Sequence, residues 1–220
     1  ASIILQLLIG LITALILNKP LKGIIFFRLA LIIPYAFPPI VIAMLWKWLL
    51  SKMYGVYNFF LMNLNFIDQP VPWLGHPDTS MIATVVVNVW FGFPLFTLGI
   101  LAGLQSIPSE QYEVARIEGA NWYQTFWYVT LPNILTIVGI IIILRTIWVF
   151  NTFDLVYVLT GGGPLNSTMT LPIYSYIVGW KNGLLGETAA VAMFLFFILM
   201  IFTFFYFRLF KIDEDQYGKN

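Results

Sequence analysis

Side chains capable of bond-making chemistry are scarce in this 220-residue chain. There is one histidine, His76 beside Pro77, no cysteine and no HExxH run, which excludes thiolate catalysis, disulfides and multi-histidine metal sites. No metal site and no bound cofactor is expected. No two carboxylates share an apolar run as a general acid and base would, which sets aside an intramembrane protease or glycosyl-transferring enzyme. What remains is a group of polar and aromatic residues in apolar surroundings: Asn88 and Trp90, then Arg145, Thr146, Trp148 and Asn151, then Asp154, with Tyr174 and Tyr176 further on. Polar groups deep in lipid are costly unless they face protein or water. Flat aromatic faces with amide and hydroxyl hydrogen bonds are the mix that holds a sugar, so these residues are candidates for a solute pathway. The alternative is an interhelical hydrogen bond for Asn88 and ordinary packing for the tryptophans. Arg145 has two candidate partners, Asp154 nine residues on or a charge on another chain.

The elements that position these residues follow from composition. With 60% hydrophobic and 10% charged residues and a mean hydropathy of +0.87, the chain departs from soluble domains, which carry about 25% charge. A hydrocarbon core of roughly 30 Å needs about 20 helical residues. Five apolar runs approach that length: residues 1–17, 29–50, 81–104, 134–150 and 189–207. They are continuously apolar, whereas barrel strands alternate. The expectation is an all-α polytopic membrane protein, residues 1–220 forming one transmembrane domain. Pro34, Pro38 and Pro39 should kink or break the second run. Residues 171–180 are too short to span and read as an interfacial or re-entrant segment.

Cytoplasmic loops retain positive charge. Lys19, Lys22, Arg28, Arg116, Arg208, Lys211 and Lys219 fall on one side of the runs, and Lys47, Lys52 and Lys181 on the other. That places the C-terminus and residues 105–132 in the cytoplasm, and residues 51–80 and 151–188 outside. Ala1 then lies outside, and a further span is expected to precede it. Trp46, Trp48, Trp148 and Trp180 read as interfacial anchors, with Lys47 snorkelling to the headgroups. A net charge of +1 offers no basic stripe for nucleic acid.

Residues 105–132 do not read as a passive linker. Ser106 is placed to cap a short helix, with Pro108 in its first turn and Glu110 and Glu113 near the positive end of its dipole. Gly119 should end it in a left-handed conformation. A second helix should start at Asn121, with Trp122, Phe126 and Val129 on one face, and Pro132 should open the next span. Small residues Ala115, Gly119 and Ala120 then form a patch that another protein can approach closely. Gly161-Gly162-Gly163-Pro164 is a second distinctive run, but Leu165-Asn166-Ser167 follows it in place of Gly-Lys-Ser/Thr, so it is no phosphate loop.

Two stretches carry a family resemblance. Glu113-Val114-Ala115, Gly119 six residues after the glutamate, and Val129-x-Leu131-Pro132 closely resemble the EAA loop of permease subunits in binding-protein-dependent ABC importers. Valine replaces the second residue and the isoleucine of that pattern. Residues 153–164, FDLVYVLTGGGP, resemble the segment typical of the carbohydrate-importer branch. The resemblance implies a type I importer (MetI-like) fold with a core of six helices, the first of which would be missing here. It implies a permease that moves a sugar or sugar-like solute by alternating access and does no chemistry itself. ATP and magnesium would be bound by two cytoplasmic ABC ATPase subunits, met through Glu113, Ala115, Glu118, Gly119 and Ala120. The other implied partners are a second homologous permease in a heterodimer and an external solute-binding protein; the expected external position of Gly161, Gly162, Gly163 and Pro164 makes them either a docking loop for that protein or a plain turn. The implied location is a bacterial or archaeal plasma membrane, with membrane lipid around the spans. Apart from the resemblance, the polar and aromatic residues in apolar surroundings remain the pathway candidates: Asn88, Trp90, Arg145, Trp148, Asn151, Asp154 and Tyr176. A secondary transporter or channel is the rival reading; it should show inverted repeats and buried coupling-ion ligands, and neither is found.

Overall fold

The computed structural model describes residues 1–20 and 22–209, and the apolar runs appear in it as helices interrupted mainly at proline and glycine. In order, α1 spans Ser2–Leu17, α2 Ile24–Ala36, α3 Pro39–Leu49, α4 Val56–Asn63 and α5 Pro77–Ser106. Next come α6 (Ser109–Ile117) and α7 (Trp122–Thr125), which continues through a π-helical turn, Phe126–Thr130, into α8 (Leu131–Phe150). Then follow α9 (Asp154–Thr160), α10 (Leu171–Tyr176), a second π-turn (Ile177–Lys181) and α11 (Leu185–Leu209). No strand occurs among the described residues, and the fold is all-α. Lys211 and Lys219, part of the charge asymmetry, lie outside the described residues.

Three helices are long and apolar enough to cross a bilayer, Pro77–Ser106, Trp122–Phe150 and Leu185–Arg208, or four if the bent pair α2–α3 is one span. A count of five is thus not reached by length and composition. α1 has 16 residues, a rise of about 24 Å. The second run is broken rather than kinked: α2 and α3 meet at 99°. Phe37 is extended (φ −108°, ψ 144°), the conformation favoured before proline, Pro38 offers no N–H, and Pro39 restarts the helix at its first position. Pro34, by contrast, stays inside α2.

α5 is shared by two cores. On one side Phe96, Ile100, Leu101 and Leu104 pack against Ala14 and Leu17 of α1 and Ile134, Val138 and Ile141 of α8. On the other, Ala83 and Val87 pack against Ile42 and Ala43 of α3, Leu155, Val156 and Leu159 of α9, and Ile173 of α10. Gly10 lets α1 lie directly on α5, because a Cβ there would overlap the Cβ of Phe96. α11 is held to α8 where the Tyr206 hydroxyl donates to the Gly139 carbonyl at 2.8 Å, and it exposes most of its apolar side chains, as a lipid-facing helix does.

The segment between α3 and α5 is organised by buried Asn58. Its amide donates to the Ser51 and Val71 carbonyls, and its oxygen accepts from the Val71 N–H (3.2 Å) and the Trp73 indole (2.8 Å). The tryptophans reading as anchors divide. Trp48 and Trp180 are well exposed and Trp148 is half exposed, but Trp46 turns inward and meets Trp90 edge-on at 5.5 Å. Lys47 donates to the Val158 carbonyl at 2.9 Å, so its ammonium is tied to α9 as well as exposed.

The α1–α5 contact yields a first prediction. Gly10→Val should destabilise the folded permease by about 1–3 kcal/mol through overpacking, seen as a lower thermal midpoint of the purified protein. An unchanged midpoint would show that α1 does not rest on α5 as described.

Candidate functional site

The hairpin is built by caps. α5 ends at Ser106, whose hydroxyl donates back to the Gly103 carbonyl at 2.8 Å, so it finishes α5 and does not cap α6 as expected. Pro108 stands at that cap, Glu110 is in the first turn of α6 and Arg116 in the last, both complementing the dipole. Gly119 is left-handed (φ +78°), as expected. Asn121 caps α7 in a reciprocal capping box: its side chain accepts from Gln124 N–H and the Gln124 side chain accepts from Asn121 N–H, both at 2.9 Å. Trp122 stacks on Phe126, with ring centroids 6.1 Å apart. Pro132 does not open a new span; it lies inside one helix, Trp122–Phe150. Its missing N–H would break the α-helical ladder, and the π-turn just before it shifts the register so that Leu131 N–H donates to Phe126.

α6 is fastened to this helix by Asn133, which donates to the Gln111 side chain at 2.8 Å, and by Tyr112 and Thr130, whose hydroxyls are 3.3 Å apart. Between the two lies a hollow of about 330 Å³ lined by Ala115, Glu118, Gly119 and Ala120 on one wall and Gln124, Thr125, Tyr128 and Val129 on the other. Four of the five predicted coupling residues therefore share one concavity. Glu113 is not among its lining residues and stands exposed on α6. Val114, Ile117, Trp122 and Tyr123 expose apolar surface around it.

A second site lies towards the other end of α8. Gln6 of α1, Asn88 of α5 and Arg145 of α8 are each at least nine-tenths buried. The Gln6 amide nitrogen donates to the side-chain oxygen and the carbonyl of Asn88, both at 2.9 Å. This orientation turns the Gln6 oxygen to Arg145, whose Nε donates to it at 2.8 Å. The guanidinium also stands 5.7 Å from the centre of the Phe91 ring, which stacks on Tyr35. Gly92 makes room: a Cβ there would collide with Arg145 Nη2 and the Gln6 amide. Arg145 Nη2 has no hydrogen-bond partner among the described residues.

Beside this cluster opens a cleft of about 220 Å³ lined by Asn88, Phe91, Arg145, Trp148, Asn151 and Asp154, among others. Five of the seven predicted pathway residues meet there. Trp90 does not; it packs against the core shared by α3, α5 and α9. Tyr176 lies beyond Phe153, in an aromatic cluster with Phe153 (5.0 Å) and Tyr157 (5.2 Å), on the wall of a neighbouring groove of about 450 Å³. Of the two candidate partners of Arg145, Asp154 is not engaged: no carboxylate pairs with Arg145 among the described residues, and Gln6 is its hydrogen-bond partner. Gln6, Gly92 and Phe91 escaped the sequence reading. A lone glutamine in the apolar run 1–17 is the signal that marks the first of them.

Gly161 and Gly162 are left-handed (φ +63° and +92°). The loop after them is pinned by buried Thr168, which donates to the Gly163 carbonyl at 2.9 Å and lies 2.6 Å from the Thr160 hydroxyl. The Ser167 hydroxyl lies 2.8 Å from that of Ser80 at the start of α5, leaving Leu165 exposed at the tip.

Residues 6–212 match the family described as binding-protein-dependent transport system inner membrane component. This chain belongs to that family. The permease is 37% identical to the trehalose/maltose transport system permease protein MalF of Thermococcus litoralis, over 97% of this chain and 72% of that one. It is 35% identical to the sulfoquinovosyl glycerol transport system permease protein SmoG of Agrobacterium fabrum, over 94% and 67% respectively. Its fold matches that of a bacterial ABC transporter involved in the import of alginate, with a TM-score of 0.82, 19% identity and coverage of 96% of this chain and 73% of the other. The permease is thus a multi-pass membrane transport component and not an enzyme.

The close approach at Gly92 gives a prediction for the permease. Gly92→Val should cost about 3 kcal/mol or more by displacing a buried charged network. Gly75→Val, whose Cβ would meet only Pro72 at 3.5 Å and beyond, is the control and should cost far less. Equal thermal midpoints for the two variants would contradict the packing described.

Proposed function

We propose that this permease is one transmembrane subunit of an ATP-driven ABC importer for a sugar or sugar-like solute. It pairs with a second, homologous permease, receives solute from an external binding protein, and is driven by two ATPase subunits on the cytoplasmic side, where its C-terminus also lies. The observation that carries the reading is the helix Trp122–Phe150. Its 29 residues place the capped hairpin at one end and the polar, aromatic cleft at the other, roughly 40 Å apart. An ATPase that seats α6 and pushes on the hollow at Ala115, Glu118, Gly119 and Ala120 would move the cleft wall bearing Arg145, Trp148 and Asn151 as part of the same rod.

The chemistry of the cleft fits a polyhydroxylated solute. Trp148 and Phe91 offer flat faces, and Asn88, Asn151 and Asp154 offer amide and carboxylate groups for hydroxyls. The sugar-importer names of the relatives support the same class, as do the two motifs that suggested it. Glu113, exposed on α6, is free to meet a basic residue of the ATPase. The pinned loop 161–168 offers the exposed Leu165 tip to the binding protein.

Two predictions separate the ends of the rod. In the reconstituted complex, Gly119→Val, which forces a β-branched residue into a left-handed backbone at a cost of about 1–2 kcal/mol, and Glu113→Ala should lower ATP-driven uptake and ATPase co-purification. Trp148→Ala and Asn151→Ala should instead raise the half-saturating solute concentration about tenfold while the ATPases stay bound, each lost contact contributing about 1–2 kcal/mol. Unchanged uptake and assembly in the first pair would refute the coupling role, and unchanged uptake in the second would refute the pathway.

A further inference from the structure

We propose that Arg145 is an electrostatic barrier that keeps cations out of the solute pathway, so that the permease passes a neutral solute without passing protons or potassium. The inference rests on the cleft being that pathway and adds a function to it. A cavity wide enough for a sugar fills with water from whichever side it opens to, and cations follow that water deep into the membrane unless a charge repels them. A fixed positive charge in low-dielectric surroundings opposes this, as an arginine or the positive ends of half-helices do in pores that exclude cations.

Three observations converge on this role. First, Arg145 is 3% exposed and lines the cleft, yet no carboxylate pairs with it among the described residues. Burying a charge without an opposite charge costs several kcal/mol, and a purely structural tie between α1, α5 and α8 could be made by neutral side chains. Second, its partner is neutral by construction. Both hydrogen bonds from the Gln6 amide go to Asn88, which fixes the Gln6 oxygen as the acceptor for Arg145 Nε. A glutamate at position 6 would reach the guanidinium equally well and cancel its charge; the glutamine orients the charge and leaves it whole. Third, Gly92 admits the guanidinium against the α5 backbone, and Nη2 is left without an acceptor among the described residues. The carboxylate nearest in the cleft lining, Asp154, is exposed and forms no ion pair with Arg145.

The test uses the whole complex, with the partner permease, ATPases and binding protein, in vesicles loaded with a pH-sensitive dye. Proton entry is driven by a potassium diffusion potential, negative inside, and recorded during ATP-driven solute uptake. Wild-type complexes should admit protons no faster than protein-free vesicles. Gln6→Glu, which keeps the side-chain shape and adds a negative charge beside Arg145, should raise proton entry about tenfold, and so should Arg145→Gln, because either removes the local positive field. Arg145→Lys should restore tightness. Proton leak through turning-over wild-type complexes would overturn the proposal without any variant. Leak-free Gln6→Glu or Arg145→Gln complexes that still hydrolyse ATP would overturn it as well. The Trp148→Ala and Asn151→Ala uptake measurements tell this failure apart from failure of the pathway itself: altered solute affinity with no leak in the charge variants sinks the barrier alone.

Discussion

The continuity of one backbone, from Trp122 to Phe150, is the constraint on which the rest of the structure depends. Proline at position 132 would ordinarily end or sharply kink a helix there, because it removes a donor and crowds the preceding turn. The π-turn at Phe126–Thr130 absorbs the mismatch by letting Leu131 N–H reach back five residues to Phe126. Without it the capped hairpin and the polar cleft would be separate objects. With it they are the two ends of one rod, braced by α6 through Asn133 and Tyr112 at one end and by α1 and α5 through Gln6 and Asn88 at the other.

The packing around the rod explains why a charge survives inside it. α5 buries one face against α1 and α8 and another against α3, α9 and α10, and the polar cluster of Gln6, Asn88 and Arg145 lies where these two apolar cores meet. Gly10 and Gly92 bring α1, α5 and α8 close enough for hydrogen bonds of 2.8 and 2.9 Å to form between side chains of three helices. Such bonds are individually modest, but each buried donor left without its acceptor would cost about 1–3 kcal/mol. The cluster therefore fixes the register of the three helices while leaving the guanidinium beside the cleft.

Much of this was legible in the sequence because it depends on local signals. Continuous apolar runs give the helices, Gly119 and Asn121 give the turn and cap, and Asn88, Arg145, Trp148, Asn151 and Asp154 advertise themselves as polar or amphipathic groups in an apolar setting. What the sequence hid is non-local. That Gln6 is the partner of Arg145, 139 residues away, and that Asp154 is not, depends on how α1 lies across α5. Trp46 and Trp90 looked like an anchor and a pathway residue but pack on each other, since an indole fits a core as well as an interface. The break after Phe37 was half visible: three prolines announce an interruption, but not that Phe37 turns extended and that α2 and α3 meet at 99° rather than at a gentle kink.

The most direct test of the account is the distance between the two ends of the rod. Residues 1–220 contain no cysteine, so within them Glu118→Cys and Asn151→Cys are the two sites that take spin labels. In the assembled transporter the account predicts that this distance is the same with and without ATP, while the distance from Asn151→Cys to a label on the second permease changes. A change between Glu118→Cys and Asn151→Cys would mean that the π-turn bends during the cycle, and would contradict transmission by a rigid helix.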